Sequence, residues 1–573
     1  MREFHPIQTS GDLIRRVTRV LLVGLIIGLI ASLAAQALVW CIDFGARWIN
    51  GHQVIYPRLI TVITPMLGGL AVGLIVQSMR EQRPHTPADV ILAAQSNLKL
   101  ASLKLKDGFL NFIASMISLT SGASVGQYGP IVNIGATLSS NLQRFTRTEH
   151  TVLIGCGVAA AISSAFSAPI AGIIFAHEVI LRHYSLRAFA PITIAASSAF
   201  YLSKFVFHNQ ALFELPEIKI TYLSEFIGFT VVGVLAGLLA VAFLHAILYA
   251  RLLANKVPLH TRFKPMIAGL LVGLLALQLP DILGIGASVL RETLHAATPS
   301  ALDLSILLIA KILATALCLG FGFAGGVFSP SLLIGVVFGT LFGLAMALLF
   351  PETNIQIYAI CGMAAITSPI IGAPLTTILI IFELTQSYEL TTAVMISVVF
   401  SNVVAYRLFG RSLFDFQLKT RGYDLSNGRD PLILGTQSIH GITRQNVTEL
   451  HTSSTVNAAI KQLTETQLHQ GFIVDTQQVF VGKVDLVQLI QYREQGEQRL
   501  ETIKDLINPH CLRFNADTSI WQAMQDIKGF VGERIPVVNP DDQHLLGVIH
   551  EADLIDAYLT SVKALRNEET ANA

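Results

Sequence analysis

Long apolar runs without charge, separated by short polar joints, fill most of the chain and then stop. Val20–Ile42, Leu59–Met79, Gly108–Gln143, Ile312–Pro351 and Thr353–Phe382 contain no Asp, Glu, Lys or Arg. A helix crosses a bilayer with about 20 apolar residues, so the longest blocks must tilt, fold back or hold two elements each. Beyond Leu418 come Lys419, Arg421, Asp424, Arg429 and Asp430, and the composition turns ordinary. The pattern predicts a short N-terminal segment over 1–19, a membrane domain over 20–418, a linker over 419–440 and a soluble C-terminal part. The polar stretch Asn209–Thr221 divides the membrane part into halves, 20–208 and 222–418.

The soluble part follows a different period. Thr455–Leu463 reads as a helix, Gly471–Val474 and Val479–Val484 as strands, and Leu486–Tyr492 as a helix. The order recurs in Ser519–Ile527, Ile535–Val538, Leu545–Ile549 and Asp553–Tyr558, which defines two units over 441–495 and 504–563.

Composition sharpens the membrane reading. Hydrophobic residues make up 52% of the 573 and charged ones 13%, against about 25% charged in a soluble chain. The net charge of +1 supplies no field to recruit nucleic acid. The run from Val20 is too long for a signal-peptide core and reads as a retained span. Arg2, Arg15, Arg16 and Arg19 ahead of it place the N-terminus in the cytoplasm. Five scattered cysteines form no metal or disulfide spacing and read as small buried hydrophobes. No Ser/His pair or His/Glu metal spacing recurs in the apolar blocks, so no enzyme chemistry is expected.

Two duplicated frames carry the chemistry. Gly126-Gln127-Tyr128-Gly129-Pro130 with Gly135, and Gly326-Val327-Phe328-Ser329-Pro330 with Gly335, both read Gly-x-x-x-Pro-x-x-x-x-Gly. Ser167-Ala168-Pro169-Ile170 and Gly372-Ala373-Pro374-Leu375 form a second pair, with Glu178 and Glu383 each ten residues after the alanine. Duplicated Gly/Pro breaks in apolar halves predict interrupted helices that meet near the membrane midplane. Their exposed N–H groups and positive dipole ends suit an anion. Inverted and parallel repeats both satisfy the spacing. Kinked helices packed through small residues are the plainer alternative, which the double duplication disfavours.

Ala324–Pro330 and Phe166–Gly172 resemble hallmark segments of the CLC family of chloride channels and chloride/proton exchangers, and the soluble part resembles a pair of CBS motifs. The resemblance runs from about Val20 to the C-terminal pair. It implies an all-α polytopic membrane domain with a two-fold inverted repeat and broken helices, followed by an α/β CBS pair. It further implies a homodimer with one pore per subunit, in the plasma (inner) membrane with both termini cytoplasmic. The permeant ion would be chloride, or another halide or nitrate, bound in part by the backbone amides of Val327 and Phe328.

The departures from the family pattern are informative. Tyr128, next to Gly129, stands where the family carries its gating glutamate. A phenol, with a reference pKa near 10, is neutral and cannot cycle protons near pH 7, but it can donate a hydrogen bond to chloride. Val179 stands where the exchangers carry an inner proton-transfer glutamate. Glu178 and His177 beside it read as an intramembrane carboxylate paired at a helix end and as a polar-cluster residue. Phe414 replaces the family's pore tyrosine. Anchoring on Pro87 puts Pro84 at the family's pore serine, while a shift of one or two residues offers His85 or Thr86. In the second soluble unit Asp553 matches a ribose-contacting position for an adenosine nucleotide. No other cofactor or metal is expected, and a structural role for the pair is the leading reading. The expectation is a passive, chloride-selective conduit uncoupled from protons; the rival is an antiporter with a different proton route.

Overall fold

The computed structural model describes residues 10–53, 57–95, 103–146, 148–184, 186–208, 225–295, 300–424, 434, 437–445, 447–494, 502–530 and 534–570. It divides into two compact units, Met1–Tyr423 and Asp424–Ala573. The dividing stretch Asn209–Thr221 and Arg2 lie outside the described residues, as does most of the linker beyond Asp424.

In the first unit the helices are α1 (Ser10–Gln53), α2 (Pro57–Gln77), α3 (Pro87–Gln95), α4 (Leu105–Thr120), α5 (Tyr128–Asn141) and α6 (His150–Phe166). Next come α7 (Pro169–Phe175), which runs on as a π-helical turn over Ala176–Leu181, and α8 (Leu186–Tyr201). The second half holds α9 (Glu225–Lys256), α10 (Lys264–Ala276), α11 (Ala287–His295), α12 (Ala301–Gly320), α13 (Phe328–Leu349), α14 (Ile355–Ile371), α15 (Pro374–Thr385), α16 (Tyr388–Leu408) and α17 (Leu413–Lys419). Among the described residues seven helices are long and apolar enough to cross a membrane, and shorter apolar helices lie between them. Each of the three longest charge-free blocks holds residues of two helices: α4 and α5, α12 and α13, α14 and α15.

Every one of the four breaks starts a helix with proline in its first turn. Pro130 and Pro330 are third residues of α5 and α13, and Pro169 and Pro374 are first residues of α7 and α15. The N–H that proline lacks would have no partner there, so the residue costs no hydrogen bond. The last glycine of each frame has another use. A Cβ on Gly135 would lie 2.6 Å from the Gly157 carbonyl oxygen, and one on Gly335 would lie 2.7 Å from that of Gly362. These glycines let α5 touch α6, and α13 touch α14, backbone to backbone. The small-residue packing weighed against a conduit is therefore present, at one end of the same frames.

One buried cation organises the loop before the first frame. The Lys311 ammonium on α12 donates to the carbonyls of Ile282 (2.8 Å) and Gly284 (2.9 Å). Gly284 N–H in turn reaches the Gly122 carbonyl at 3.0 Å. One turn along α12, the Thr315 hydroxyl meets the Ser124 hydroxyl at 2.9 Å.

The second unit is two copies of one motif. Strands β1 (Glu449–His451), β2 (Gln470–Val474) and β3 (Phe480–Asp485) form one sheet, in that order, with helices α18 (Val456–Glu465) and α19 (Leu486–Glu494). Strands β4 (Phe514–Asn515), β5 (Arg534–Val538) and β6 (Leu545–His550) form the other, with α20 (Ile520–Asp526) and α21 (Glu551–Thr570). In both sheets the first pairing is parallel and the second antiparallel. Thr455 and Ser519 open α18 and α20 as side-chain caps, which is the hydroxyl's preferred use at that position. The sequence pattern missed β1 and β4, which are too short to show alternation. Apolar residues of both copies, Phe472, Phe480, Val538 and Val548, share one core cluster.

Candidate functional site

The two Gly-x-x-x-Pro frames meet. Gly126 N–H donates to the Gly326 carbonyl and Gly326 N–H to the Gly126 carbonyl, both at 2.7 Å. A Cβ on Gly126 would lie 2.9 Å from the Gly326 oxygen and from the Ser329 nitrogen, so only glycine admits this contact. From the reciprocal bridge α5 and α13 both begin, and neither has a side-chain cap. Gln127 N–H at the start of α5 reaches Ser329 Oγ at 3.3 Å, and the first-turn amides of Gly129 and Ser329, which no carbonyl of their own helix can reach, lie beside the bridge.

A small cavity lies there, lined by Pro87, Tyr128, Gly129, Val132, Ile162, Phe175, Gly326, Val327, Phe328, Ile371 and Phe414. The space open to the centre of a water-sized sphere is about 20 Å³, where one water needs on the order of 10–15 Å³ by that measure. Side chains here are nearly all apolar, so polarity comes from the backbone and from one phenol. The Tyr128 ring stacks on Phe166 at a centroid distance of 3.9 Å and meets the edge of Phe328 at 5.1 Å. Tyr128 is only 2% exposed, and its hydroxyl has no hydrogen-bond partner among the described residues. A buried hydroxyl without a partner is costly and rare in native proteins. A donor at an apolar cavity beside two helix N-termini is suited to a weakly hydrated anion.

The structure gathers Tyr128, Gly129, Val327, Phe328 and Phe414 around this one cavity. Thr86 is placed differently. It is not among the lining residues; its hydroxyl meets Gln417 Oε1 at 2.9 Å and its N–H donates to Asp89 Oδ2 at 2.7 Å. The neighbouring Pro87 reaches the cavity instead. Asp89 also accepts from Arg83 and, at 2.8 Å, from Arg421, which fixes the start of α3 against the end of the first unit.

Val179 is 4% exposed and lies on the π-helical turn after α7. Glu178 beside it is not free: Oε1 accepts from Leu375 N–H at 2.9 Å, and Oε2 from the N–H (2.9 Å) and hydroxyl (2.7 Å) of Thr376. This is the paired carboxylate that the sequence suggested, but its partner is the start of α15. His177 is buried, with Nδ1 at 3.0 Å from the His183 carbonyl and its ring stacked on Tyr184. In the second unit Asp553 is held by Arg444, Nε to Oδ2 and Nη2 to Oδ1, both at 2.7 Å.

Sequence reasoning did not single out Phe166, Val132, Ile162, Phe175 or Ile371 as site residues. Phe166 and Ile371 each precede a second-pair break, a signal that could have marked them, and Phe166 also heads the Phe166–Gly172 segment. Val132 sits one turn after Tyr128, while Ile162 and Phe175 carry no signal.

A bundle of membrane-length helices around broken ones, whose N-termini converge on a small cavity lined mostly by apolar side chains, defines an integral membrane protein with a candidate anion site. The voltage gated chloride channel family model matches residues 68–406 and a CBS domain model matches residues 503–560. The chain belongs to the voltage gated chloride channel family. It is 31% identical over 361 residues to proteins of Escherichia coli and Shigella flexneri described as voltage-gated ClC-type chloride channel ClcB, covering 62% of this chain and 85% of theirs. Its fold is similar to that of a slow cyanobacterial Cl-/H+ antiporter (TM-score 0.65, 21% identity, 70% of this chain and 98% of that one). It is also similar to a eukaryotic CLC transporter (TM-score 0.62, 18% identity), which covers 95% of this chain and 98% of that one.

Proposed function

We propose that the chain is a passive, chloride-selective conduit that is not coupled to protons. The observation that carries this reading is Tyr128, whose neutral hydroxyl is buried beside the bridge between the two frames with no hydrogen-bond partner among the described residues. A residue that neither ionises near pH 7 nor competes with an anion as a carboxylate does is unsuited to exchange. Val179 adds to this, because an aliphatic side chain cannot pass a proton. Main-chain dipoles bind an anion loosely enough to release it, as conduction requires. The relatives' description as chloride channels supports chloride as the ion, with other halides or nitrate as competitors.

The rival is an antiporter with another proton route. One observation favours it: His177 Nε2 is buried without a partner among the described residues, next to Glu178. Chloride-loaded proteoliposomes with an external pH electrode decide between the two. Chloride efflux without proton movement is expected; uphill proton movement at fixed stoichiometry overturns the uncoupled reading.

The same reading places a homodimer in the plasma (inner) membrane with both termini cytoplasmic. An adenosine nucleotide at the soluble unit would have to take Asp553 from Arg444, which makes a structural role for the pair the stronger reading.

A further inference from the structure

The second duplicated feature, a glutamate ten residues after the alanine of each Ala-Pro break, is not used by the cavity, yet the two copies answer each other. Glu178, after the first break, holds the amides of Leu375 and Thr376 after the second. Glu383, after the second, accepts from Ile170 N–H at 2.9 Å and Ala171 N–H at 2.7 Å, after the first. Neither α7 nor α15 has a side-chain cap from its own N-cap residue. Each helix start is thus closed by a carboxylate from the other half, a charge-assisted contact that also answers the helix dipole.

The clamped amides lie just past two sharp corners. Ser167 (φ 55°) and Gly372 (φ 71°) turn the chain through the left-handed region. Immediately before those corners stand Phe166, stacked on Tyr128, and Ile371, a wall of the cavity. Of the four Gly/Pro-broken starts, the two outside the cavity carry internal carboxylates, and the two at it carry none.

We propose that Glu178 and Glu383 are positioning residues, a reciprocal carboxylate clamp across the two halves that sets the shape of the anion cavity by fixing the Phe166 and Ile371 corners. Removing the Glu383 carboxylate frees the α7 start and lets the Phe166 ring leave Tyr128. Removing that of Glu178 does the same to Ile371.

The test compares Glu383→Ala with wild type and with Glu383→Gln, which keeps one acceptor oxygen and guards against a variant that fails to fold. A structure of each is determined, and bromide-to-chloride and nitrate-to-chloride permeability ratios are measured in reconstituted bilayers. The expected result is an opened Tyr128–Phe166 stack in the alanine variant, a smaller change in the glutamine variant, and ratios shifted by at least about twofold. A folded Glu383→Ala protein that keeps the 3.9 Å stack and wild-type ratios overturns the proposal. The flux arm rests on the anion reading. Wild-type vesicles that pass no anion refute that reading instead, while the ring geometry of the variants still judges the clamp.

Discussion

Replacing Tyr128 by phenylalanine isolates the hydroxyl from everything else the side chain does. The ring keeps its place between Phe166 and Phe328, so packing changes by one oxygen. If the hydroxyl donates to a bound anion, its loss removes a hydrogen bond to a charged group, worth about 1.5–3 kcal/mol net. That weakens anion binding roughly 10- to 150-fold. Without anion the sign reverses. The hydroxyl is buried with no partner among the described residues, at a cost of about 1–3 kcal/mol, so the variant should be the more stable protein in gluconate. The assay is isothermal titration of the purified protein with chloride, together with thermal unfolding in chloride and in gluconate. Wild type should gain stability from chloride, and Tyr128→Phe should start higher and gain less. Equal chloride affinities within about twofold, with equal unfolding temperatures in gluconate, would refute the idea that the phenol faces the ion.

Tyr128→Glu should introduce a pH-dependent block. A carboxylate ionises above its pKa, which burial raises from a reference of about 4.3, so current should fall as pH rises and recover on acidification; a pH-independent current disproves that position as a pore site. Lys311→Met leaves the buried Ile282 carbonyl and the part-buried Gly284 carbonyl without their ammonium, at about 1–3 kcal/mol for the buried one. Thermal unfolding should move down, and an unmoved transition would show that water replaces the lysine at no cost. Arg444→Ala frees the Asp553 carboxylate, so ATP binding by the soluble unit should tighten if that aspartate reads ribose hydroxyls. Titrations with no binding in either protein would leave the pair a structural role alone.

The chain pattern alone determined more of this protein than its length suggests. Charge-free blocks, duplicated Gly/Pro frames and the repeated helix–strand–strand–helix order are local features, set by burial in lipid, by first-turn proline chemistry and by strand alternation. Tyr128 and Val179 could be singled out because each departs from a motif with a fixed frame. What each frame touches is another matter, since every decisive contact joins residues far apart in the chain. Gly126 with Gly326, Glu178 with Leu375 and Glu383 with Ile170 each span about 200 residues. Only the tertiary structure could divide the glycines into those that bridge the cavity and those that seat one helix on the next. It alone assigned Thr86 to Gln417 and Asp89 and gave the cavity wall to Pro87, because which face of a short helix start looks inward depends on the helices packed around it.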